Sequence, residues 1–180
     1  MKKKFFNPGW LPNVNRIFSE NFNRRPDSTD VSMIVIHSIS LPPGRYGGNF
    51  VLKFFTNCLD FDSDPYFDSL RNLKVSPHIF IDRKGTITQF VNLNDRAWHA
   101  GKSIWKDRRD CNNFSIGIEL EGAETSSFEN EQYEALLEVI EGIKTCKTNG
   151  TRNFDIVGHS DIAPGRKSDP GPFFLWDKIG

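Results

Sequence analysis

The chain has 180 residues, which is long enough to bury one hydrophobic core and too short to promise two domains. Its 23 Lys and Arg residues balance 23 Asp and Glu residues, so no overall charge would attract nucleic acid or an anionic membrane. Any electrostatic recognition must therefore be local.

The first 29 residues contain several prolines and no sustained apolar periodicity, so we predict an extended arm over 1–29 that packs on a domain formed by 30–180. The basic start is interrupted by Asn7-Pro8-Gly9 before an apolar signal-peptide segment could form, and no apolar run has the length of a membrane span. The three cysteines are odd in number and widely spaced, which is typical of reduced thiols. We expect a cytoplasmic protein that acts without a membrane.

The first half of the domain begins with a continuous β-branched run over 31–36, which predicts a central strand buried on both faces. A loop follows over 40–48, and Asn49 is placed to cap a helix that runs to about Cys58. Residues 59–73 predict an irregular segment.

The second half begins with a strand, a Gly-containing turn and a strand between 76 and 91, which predicts a β-hairpin. Residues 96–101 predict a loop. Residues 115–121 alternate large apolar residues with small or acidic ones, which predicts a strand with one face on the core.

A long helix is predicted next, and a last strand over 154–157 follows it. Asn149-Gly150 is expected to end the helix. Its apolar positions recur at helical spacing and should face the core: Tyr133, Leu136, Leu137, Ile140 and Ile143. Strands mixed with helices, including an antiparallel hairpin, indicate an α/β fold in which a single mixed sheet is flanked by helices.

The segment 158–171 carries candidate chemistry, because it follows the last strand and is interrupted by Gly and Pro, which excludes a regular helix. It holds His159 and Asp169, and a catalytic zinc usually takes three such ligands and leaves one position open. His37, at the end of the strand 31–36, is the best candidate for the third ligand. A single histidine after a strand is more often a hydrogen-bonded core residue, and this alternative stays open for each.

Glu119 is the candidate general base, because the strand 115–121 presents it on its polar face, where it could take a proton from an attacking water. Lys167 lies two residues before Asp169, where a cation could stabilise an oxyanion. The pattern equally allows Glu119 or Glu121 to be merely solvated or salt-bridged. It also allows Lys167 to be a surface residue.

Four segments together resemble a known family: 35–44, 96–101, 111–122 and 158–172. They are similar to the zinc-dependent N-acetylmuramoyl-L-alanine amidases of the peptidoglycan-recognition superfamily, in particular to the cytosolic branch that acts on 1,6-anhydro-muropeptides. The resemblance covers nearly the whole chain, from about Trp10 to Trp176. It implies the amidase fold, a mixed sheet with helices packed across it.

The resemblance implies a zinc site at His37, His159 and Asp169, with Glu119 as the catalytic carboxylate and Lys167 beside the oxyanion. The implied substrate is an anhydro-muropeptide, cut between the lactyl group of the muramic sugar and L-alanine during cell-wall recycling. The resemblance also implies a set of substrate-binding residues: Ser38, Tyr66, Lys74, His78, Trp98 and His99.

The chain departs from the family at positions that concern substrate binding. Ser38 follows the first histidine where relatives commonly have Asn. Asp110 and Lys74 stand where relatives can carry arginines suited to a peptide carboxylate, and Lys is a less directional carboxylate partner than Arg. Arg108 or Arg109 could compensate.

Other functions remain to be weighed against this one. An amidase acting on intact peptidoglycan would use the same chemistry, but the expected lack of an export signal argues against it. A peptidoglycan-binding module without activity would be expected to lack a ligand, whereas all three are present. A nuclease or phosphoesterase is disfavoured by the ligand set and the neutral charge. We expect a monomer.

Overall fold

The computed structural model describes residues 9–148 and 153–180, and in this part the chain forms ten strands and three α-helices. The strands are β1 (Asn15–Arg16), β2 (Phe22–Arg24), β3 (Met33–Ile39), β4 (Ile79–Ile81), β5 (Ile87–Gln89), β6 (Asp95–Ala97), β7 (Ile104–Trp105), β8 (Arg108–Arg109), β9 (Ser115–Glu121) and β10 (Asp155–Gly158). The α-helices are α1 (Phe50–Phe55), α2 (Asn130–Thr148) and α3 (His159–Ile162). Short 3₁₀ helices cover Phe61–Ser63, Pro65–Leu70, Cys111–Asn113 and Trp176–Lys178.

Six strands form the main sheet in the order β1-β5-β4-β9-β3-β10. Strands β4, β9, β3 and β10 are parallel, whereas β5 runs antiparallel to β4 and parallel to β1. Two further pairs, β2 with β6 and β7 with β8, are antiparallel. The predicted mixed sheet and the hairpin of β4 and β5 are confirmed.

The central strand β3 is buried on both faces, as its continuous apolar run predicts. Ile34 and Ile36 pack on one side, in the same core cluster as the apolar residues of α2. Met33 and Val35 pack on the other side. His37 lies two residues beyond Val35, and strand alternation therefore places it on the face away from α2. The strand runs to Ile39, so His37 lies within it rather than after it.

Helix α2 covers one face of the sheet with side chains that include Leu136, Ile140 and Ile143, all buried. The prediction was wrong for Leu137, which is 41% exposed. The predicted helix end at Asn149-Gly150 lies outside the described residues. Because α2 occupies this face, a site on the sheet must lie on the other one.

Four local predictions are corrected by the structure. Helix α1 ends at Phe55 rather than near Cys58, and the Asn49 side chain forms no capping hydrogen bond. The 59–73 segment contains two 3₁₀ helices, and 96–101 begins within strand β6. The tail contains one helical turn, α3, because His159 to Ile162 precede the first proline of the segment.

The N-terminal segment is joined to the domain by backbone pairing. In β1, Asn15 and Arg16 pair with Thr88 and Gln89 of β5, at the edge of the main sheet. Strand β2 pairs antiparallel with β6 in a separate two-stranded sheet. The described part of the arm thus contributes strands, while the boundary between residues 29 and 30 stays a prediction.

Arg25 anchors the end of this arm beneath the sheet. Its guanidinium is buried and donates to the carbonyls of Asn112, Asn113 and Ser115 at 2.7–3.1 Å. Burial lowers the pKa of Arg25 to about 10, and the side chain therefore remains charged at neutral pH. The arm is held where β9 begins.

Replacing this guanidinium should destabilise the protein. We expect Arg25→Met to lower the free energy of unfolding by about 3 kcal/mol, because it leaves buried carbonyls without donors. Urea denaturation measures this loss. The neighbouring Arg24 is exposed, and Arg24→Met is expected to change stability by no more than about 0.5 kcal/mol. Equal losses in both variants would contradict a specific anchoring role.

Candidate metal centre and active site

Three parallel strands bring the first functional side chains to one edge of the sheet. His37 of β3 and Glu119 of β9 are direct register partners, so both side chains point to the same face. Gly158 of β10 pairs with Ile36 of β3, and His159 follows Gly158 directly. Because the strands are parallel, the three residues meet at the same end of the sheet.

Asp169 reaches this group because the chain after α3 turns back. The backbone N–H groups of Arg166 and Lys167 both donate to the Ala163 carbonyl, which closes the turn. The Ser160 N–H then donates to the Asp169 carbonyl at 2.9 Å. This turn places the Asp169 carboxylate beside the imidazole of His159.

The three predicted ligands converge with short distances between their donor atoms. His37 Nδ1 lies 2.9 Å from His159 Nδ1, and each of these nitrogens lies 3.1 Å from Asp169 Oδ2. All three residues are buried. Within the described residues this is the cluster of His, Cys, Asp or Glu side chains arranged to hold a metal ion.

The protonation states of the His37 and Asp169 side chains leave atoms free to bind a cation. His159 Nε2 lies 3.1 Å from the Ala100 carbonyl, which can only accept, and 3.4 Å from Arg166 Nη2, which can only donate. The shorter contact favours a proton on Nε2, which leaves Nδ1 free to bind a cation. Burial, with His159 adding to it, lowers the pKa of His37 from 6.5 to about 4, and the ring is neutral. Burial by itself would raise the pKa of Asp169, but hydrogen bonds with His159 and His37 outweigh it and lower the pKa.

Two imidazoles and one carboxylate are a donor set that zinc accepts in catalytic sites. Their donor atoms lie about 3 Å from one another. A shared cation would stabilise this arrangement, whereas three acceptor atoms without a cation would repel one another. The residues therefore fit a divalent metal with nitrogen and oxygen ligands.

Glu119 lies beside this cluster with a carboxylate oxygen that nothing in the described structure satisfies. Its Oε2 and Arg25 Nε are the two buried side-chain nitrogen or oxygen atoms, within residues 9–148 and 153–180, that lack a hydrogen-bond partner. Burial raises the pKa of Glu119 well above 4.5; the Asp169 carboxylate adds to this, and the Lys167 charge opposes it. An unsatisfied, buried carboxylate at a cavity wall is suited to exchange a proton with a ligand.

Glu121 differs from Glu119 although it lies on the same face of β9. Its Oε1 accepts from the Gly47 N–H at 2.6 Å and its Oε2 from the Arg83 N–H at 3.1 Å. Both oxygens therefore hold loops in place. The sequence analysis chose Glu119 as the candidate base and left open that either carboxylate is solvated or salt-bridged. The hydrogen bonds distinguish the two side chains.

A cavity of about 730 Å³ opens over the cluster, within the range of roughly 300–1,000 Å³ usual for ligand sites. Apolar side chains such as Leu41, Phe54 and Leu70 line one side, and polar residues of the cluster line the other. The lining includes Glu119 and seven other residues that the sequence analysis predicted for the site: His159, Asp169, Lys167, Ser38, Tyr66, Trp98 and His99.

Two predicted substrate contacts are not in the cavity lining. Lys74 is exposed, and its neighbours Leu73 and Val75 line the cavity instead. His78 is fully buried: its Nδ1 accepts from the Gly117 N–H, and its Nε2 lies 3.0 Å from Arg25 Nη2. In this structure the His78 ring is buried and does not line the cavity, so nothing supports the predicted contact of His78 with the peptide.

His99 also differs from its prediction as a groove residue. It is 8% exposed, and both of its ring nitrogens face protein atoms: His37 Nε2 at 2.9 Å and Ser115 Oγ at 3.2 Å. The ring contributes to the cavity wall, but its polar atoms are directed at the metal cluster and at the sheet.

The arginines that could compensate for Asp110 are placed elsewhere. Arg108 forms an ion pair with Asp30 and lies over the ring of Phe114, and neither it nor Arg109 lines the cavity. Asp110 is itself exposed and has a left-handed backbone with φ 57°.

Several residues that shape the site were missed by the sequence reasoning. Arg166 Nη2 donates to the carbonyls of Ala100 and Lys102, which holds the acceptor that fixes His159. Asn112 Oδ1 accepts from the N–H groups of His99 and Ala100. No local pattern reveals such contacts, because their partners are 12 to 66 residues apart in sequence.

Gly117 is the one missed residue with a signal in the sequence. It occupies one of the small or acidic positions in the alternation of β9, and a Cβ there would lie 2.4 Å from His99 Cγ. A glycine inside a strand often marks such a close approach.

The chain matches the family described as N-acetylmuramoyl-L-alanine amidase over residues 27–172. It is 46% identical over 177 residues to the 1,6-anhydro-N-acetylmuramyl-L-alanine amidase AmpD of Haemophilus influenzae, covering 98% of this chain and 96% of that protein. A crystal structure of a selenomethionine derivative of AmpD superimposes with a TM-score of 0.89 at 42% identity, over 96% of each chain.

A ligand complex is also among the similar structures. It contains the Escherichia coli amidase AmiD with the substrate anhydro-N-acetylmuramic acid-L-Ala-D-γ-Glu-L-Lys, and it matches with a TM-score of 0.58 at 30% identity. The match covers 83% of this chain and 56% of that one. In the described part of this chain, no helix combines the length and apolar character needed to cross a bilayer.

Proposed function

This chain belongs to the N-acetylmuramoyl-L-alanine amidase family, and from that premise we propose that it hydrolyses 1,6-anhydro-muropeptides during murein recycling. The bond cut is the amide between the lactyl group of the anhydro-muramic sugar and L-alanine of the stem peptide. The observation that carries the chemistry is the unsatisfied Glu119 oxygen in the cavity beside three converging metal-ligand atoms. The observation that carries the substrate is full-length similarity to amidases named for it.

The metal that this site would hold is zinc, and His37, His159 and Asp169 would be its protein ligands. Zinc in such a site polarises a carbonyl and makes a water acidic enough to lose its proton near neutral pH. The short distances between the three donor atoms, and the lowered pKa that keeps the His37 ring neutral, support this assignment.

Glu119 is the general base. Its high proton affinity allows it to take a proton from the attacking water and to return that proton to the departing L-alanine nitrogen. The water oxygen bonds to the lactyl carbon, the C–N bond breaks, and the products are the anhydro-sugar acid and a free stem peptide. The register pairing with His37 supports this role, because it holds the carboxylate next to the ligands.

Lys167 stabilises the negative charge that develops on the carbonyl oxygen. It lines the cavity, and its charge acts on both Glu119 and His37, so it lies on the side where the reacting carbonyl would sit. Ser38, Tyr66 and Trp98 contact the muropeptide from the cavity wall.

We place this activity in the cytoplasm and in a monomer. No disulfide is formed among the described cysteines, which is the rule in a reducing compartment. The ligands, the base and the cavity all come from one chain, so the site needs no second subunit.

Product analysis tests the function. Zinc-loaded protein and an anhydro-muropeptide should give two products by mass spectrometry, the anhydro-sugar and the intact stem peptide, and chelation should stop their formation. Uncleaved muropeptide in the presence of zinc would overturn the proposal. Intact sacculi should be cut much more slowly, and a preference for sacculi would instead identify an amidase of whole peptidoglycan.

A further inference from the structure

A chain of buried polar contacts connects the metal cluster to the centre of the sheet. His37 Nε2 lies 2.9 Å from His99 Nδ1, and His99 Nε2 lies 3.2 Å from Ser115 Oγ. The Ser115 hydroxyl lies 2.6 Å from the Cys111 carbonyl. His37, His99 and Ser115 are all buried, so water does not compete for these contacts.

The direction of every hydrogen bond in this chain follows from its last member. The Cys111 carbonyl can only accept, so the single hydroxyl proton of Ser115 is directed at it. Ser115 Oγ must then accept from His99, which puts the His99 proton on Nε2 and leaves Nδ1 bare. His99 Nδ1 accepts in turn from His37 Nε2, and the lone pair of His37 is left on Nδ1, the atom that faces His159 and Asp169.

The two ligand histidines are thus oriented by different means. The Nε2 atom of His159 directly faces a backbone carbonyl, that of Ala100, at 3.1 Å. His37 donates to another histidine, which could in principle supply or accept a proton at either nitrogen. Only the Ser115 hydroxyl and its carbonyl partner make His99 an acceptor toward His37.

The position of His99 is built into the sheet. Gly117 leaves room for the ring, since a Cβ there would lie 2.4–2.7 Å from three of its atoms. The backbone N–H of His99 is held by Asn112 Oδ1 at 3.1 Å. These contacts therefore fix the His99 ring in contact with Nε2 of His37, on the side of the His37 ring away from the metal cluster.

We propose that His99 is a positioning residue that, through Ser115, fixes His37 as the Nε2–H tautomer and so presents Nδ1 to the metal. The inference rests on the proposed zinc site. It assigns His99 to the metal ligand rather than to the substrate. Hydrogen-bond partners of ligand histidines commonly contribute about 10- to 100-fold to metal affinity.

Long-range ¹⁵N–¹H NMR of the histidine side chains tests the tautomers directly, in protein with and without zinc. We expect His99 with its proton on Nε2 in both forms, and His37 with its proton on Nε2 in the zinc form. A His99 ring protonated on Nδ1 would overturn the proposal, because it would then donate to His37.

Zinc affinity of variants, measured by competition with a chelating dye, tests the function of the contact. His99→Phe keeps the ring volume but removes the acceptor, and should weaken zinc binding about 10- to 100-fold. His99→Asn restores an acceptor at the position of Nδ1 and should recover most of that loss. Ser115→Ala should weaken binding by less than His99→Phe, since His99 can still accept in part of the population.

Ser19→Ala is the matched control, because Ser19 is also buried and donates to a backbone carbonyl, that of Phe55, away from any histidine. Its zinc affinity should equal that of the wild type. Wild-type affinity in His99→Phe, or an equal loss in His99→Phe and His99→Asn, would overturn the positioning role. A wild-type protein with the predicted tautomers but no zinc binding would overturn the proposed function and leave the hydrogen-bond direction standing.

Discussion

Glu119→Gln should lower kcat on an anhydro-muropeptide by roughly 10²- to 10⁴-fold, the usual contribution of general acid–base catalysis, while the protein still binds zinc. The amide has nearly the shape of the carboxylate but cannot take a proton from water. Steady-state kinetics measure the loss, and metal content of the purified variant measures the binding. A variant that kept wild-type kcat would exclude Glu119 as the base.

The same substitution should stabilise the metal-free protein at neutral pH. Burial raises the pKa of Glu119 in the folded state well above 4.5, the value in the unfolded chain. At a pH between the unfolded pKa and the folded pKa, the folded state therefore binds more protons than the unfolded chain. Stability from this group is therefore fully present below about pH 4.5 and is lost as pH rises through the folded pKa. Glu119→Gln carries no such loss, and urea denaturation should show its advantage over the wild type growing from pH 5 toward neutrality.

Glu121→Gln is the matched control, two residues along the same face of the same strand. Both Glu121 oxygens accept from backbone N–H groups, of Gly47 and Arg83, and an amide can replace only one of these acceptors. We expect this variant to lose about 1–3 kcal/mol of stability. If Glu121→Gln stabilised the protein as Glu119→Gln does, the assignment of catalytic and structural roles would be wrong.

Removing the metal, or one of its ligands, should abolish amidase activity and lower the stability of the protein. Chelated wild-type protein and His159→Ala should both lose amidase activity to near background, and added zinc should restore only the wild type. Zinc binding should also stabilise folding, by about 4 kcal/mol when free zinc exceeds its dissociation constant 1,000-fold. Thermal unfolding with and without zinc measures this shift, which should be small or absent in His159→Ala.

An exposed thiol provides the control for adventitious metal. Cys58 is exposed, so Cys58→Ser should keep both the zinc-dependent activity and the stabilisation by zinc. Full activity of the chelated wild type would contradict a metal-dependent mechanism, and a zinc effect that depended on Cys58 would place the metal elsewhere.

The sequence alone determined the strands and the helix that a local pattern of apolar and polar residues predicts. The β-branched run before His37 and the alternation in 115–121 predicted the two central strands, because burial on one or both faces of a sheet selects those patterns. The helical spacing of apolar residues predicted α2 in the same way. The metal-ligand candidates could be named because few residue types bind zinc and because His37 and His159 lie next to apolar runs that predict strands.

Only the tertiary structure decided what each polar side chain contacts. Glu119 and Glu121 have equivalent positions in the strand pattern, and they differ because one faces a cavity and the other two backbone N–H groups. His78 and His99 both lie beside segments of the predicted groove, yet their ring nitrogens meet Gly117, Arg25, His37 and Ser115 across the fold. A hydrogen bond acts over about 3 Å in space and at any separation in sequence, and therefore periodicity predicts the strand that carries a side chain but not its partner.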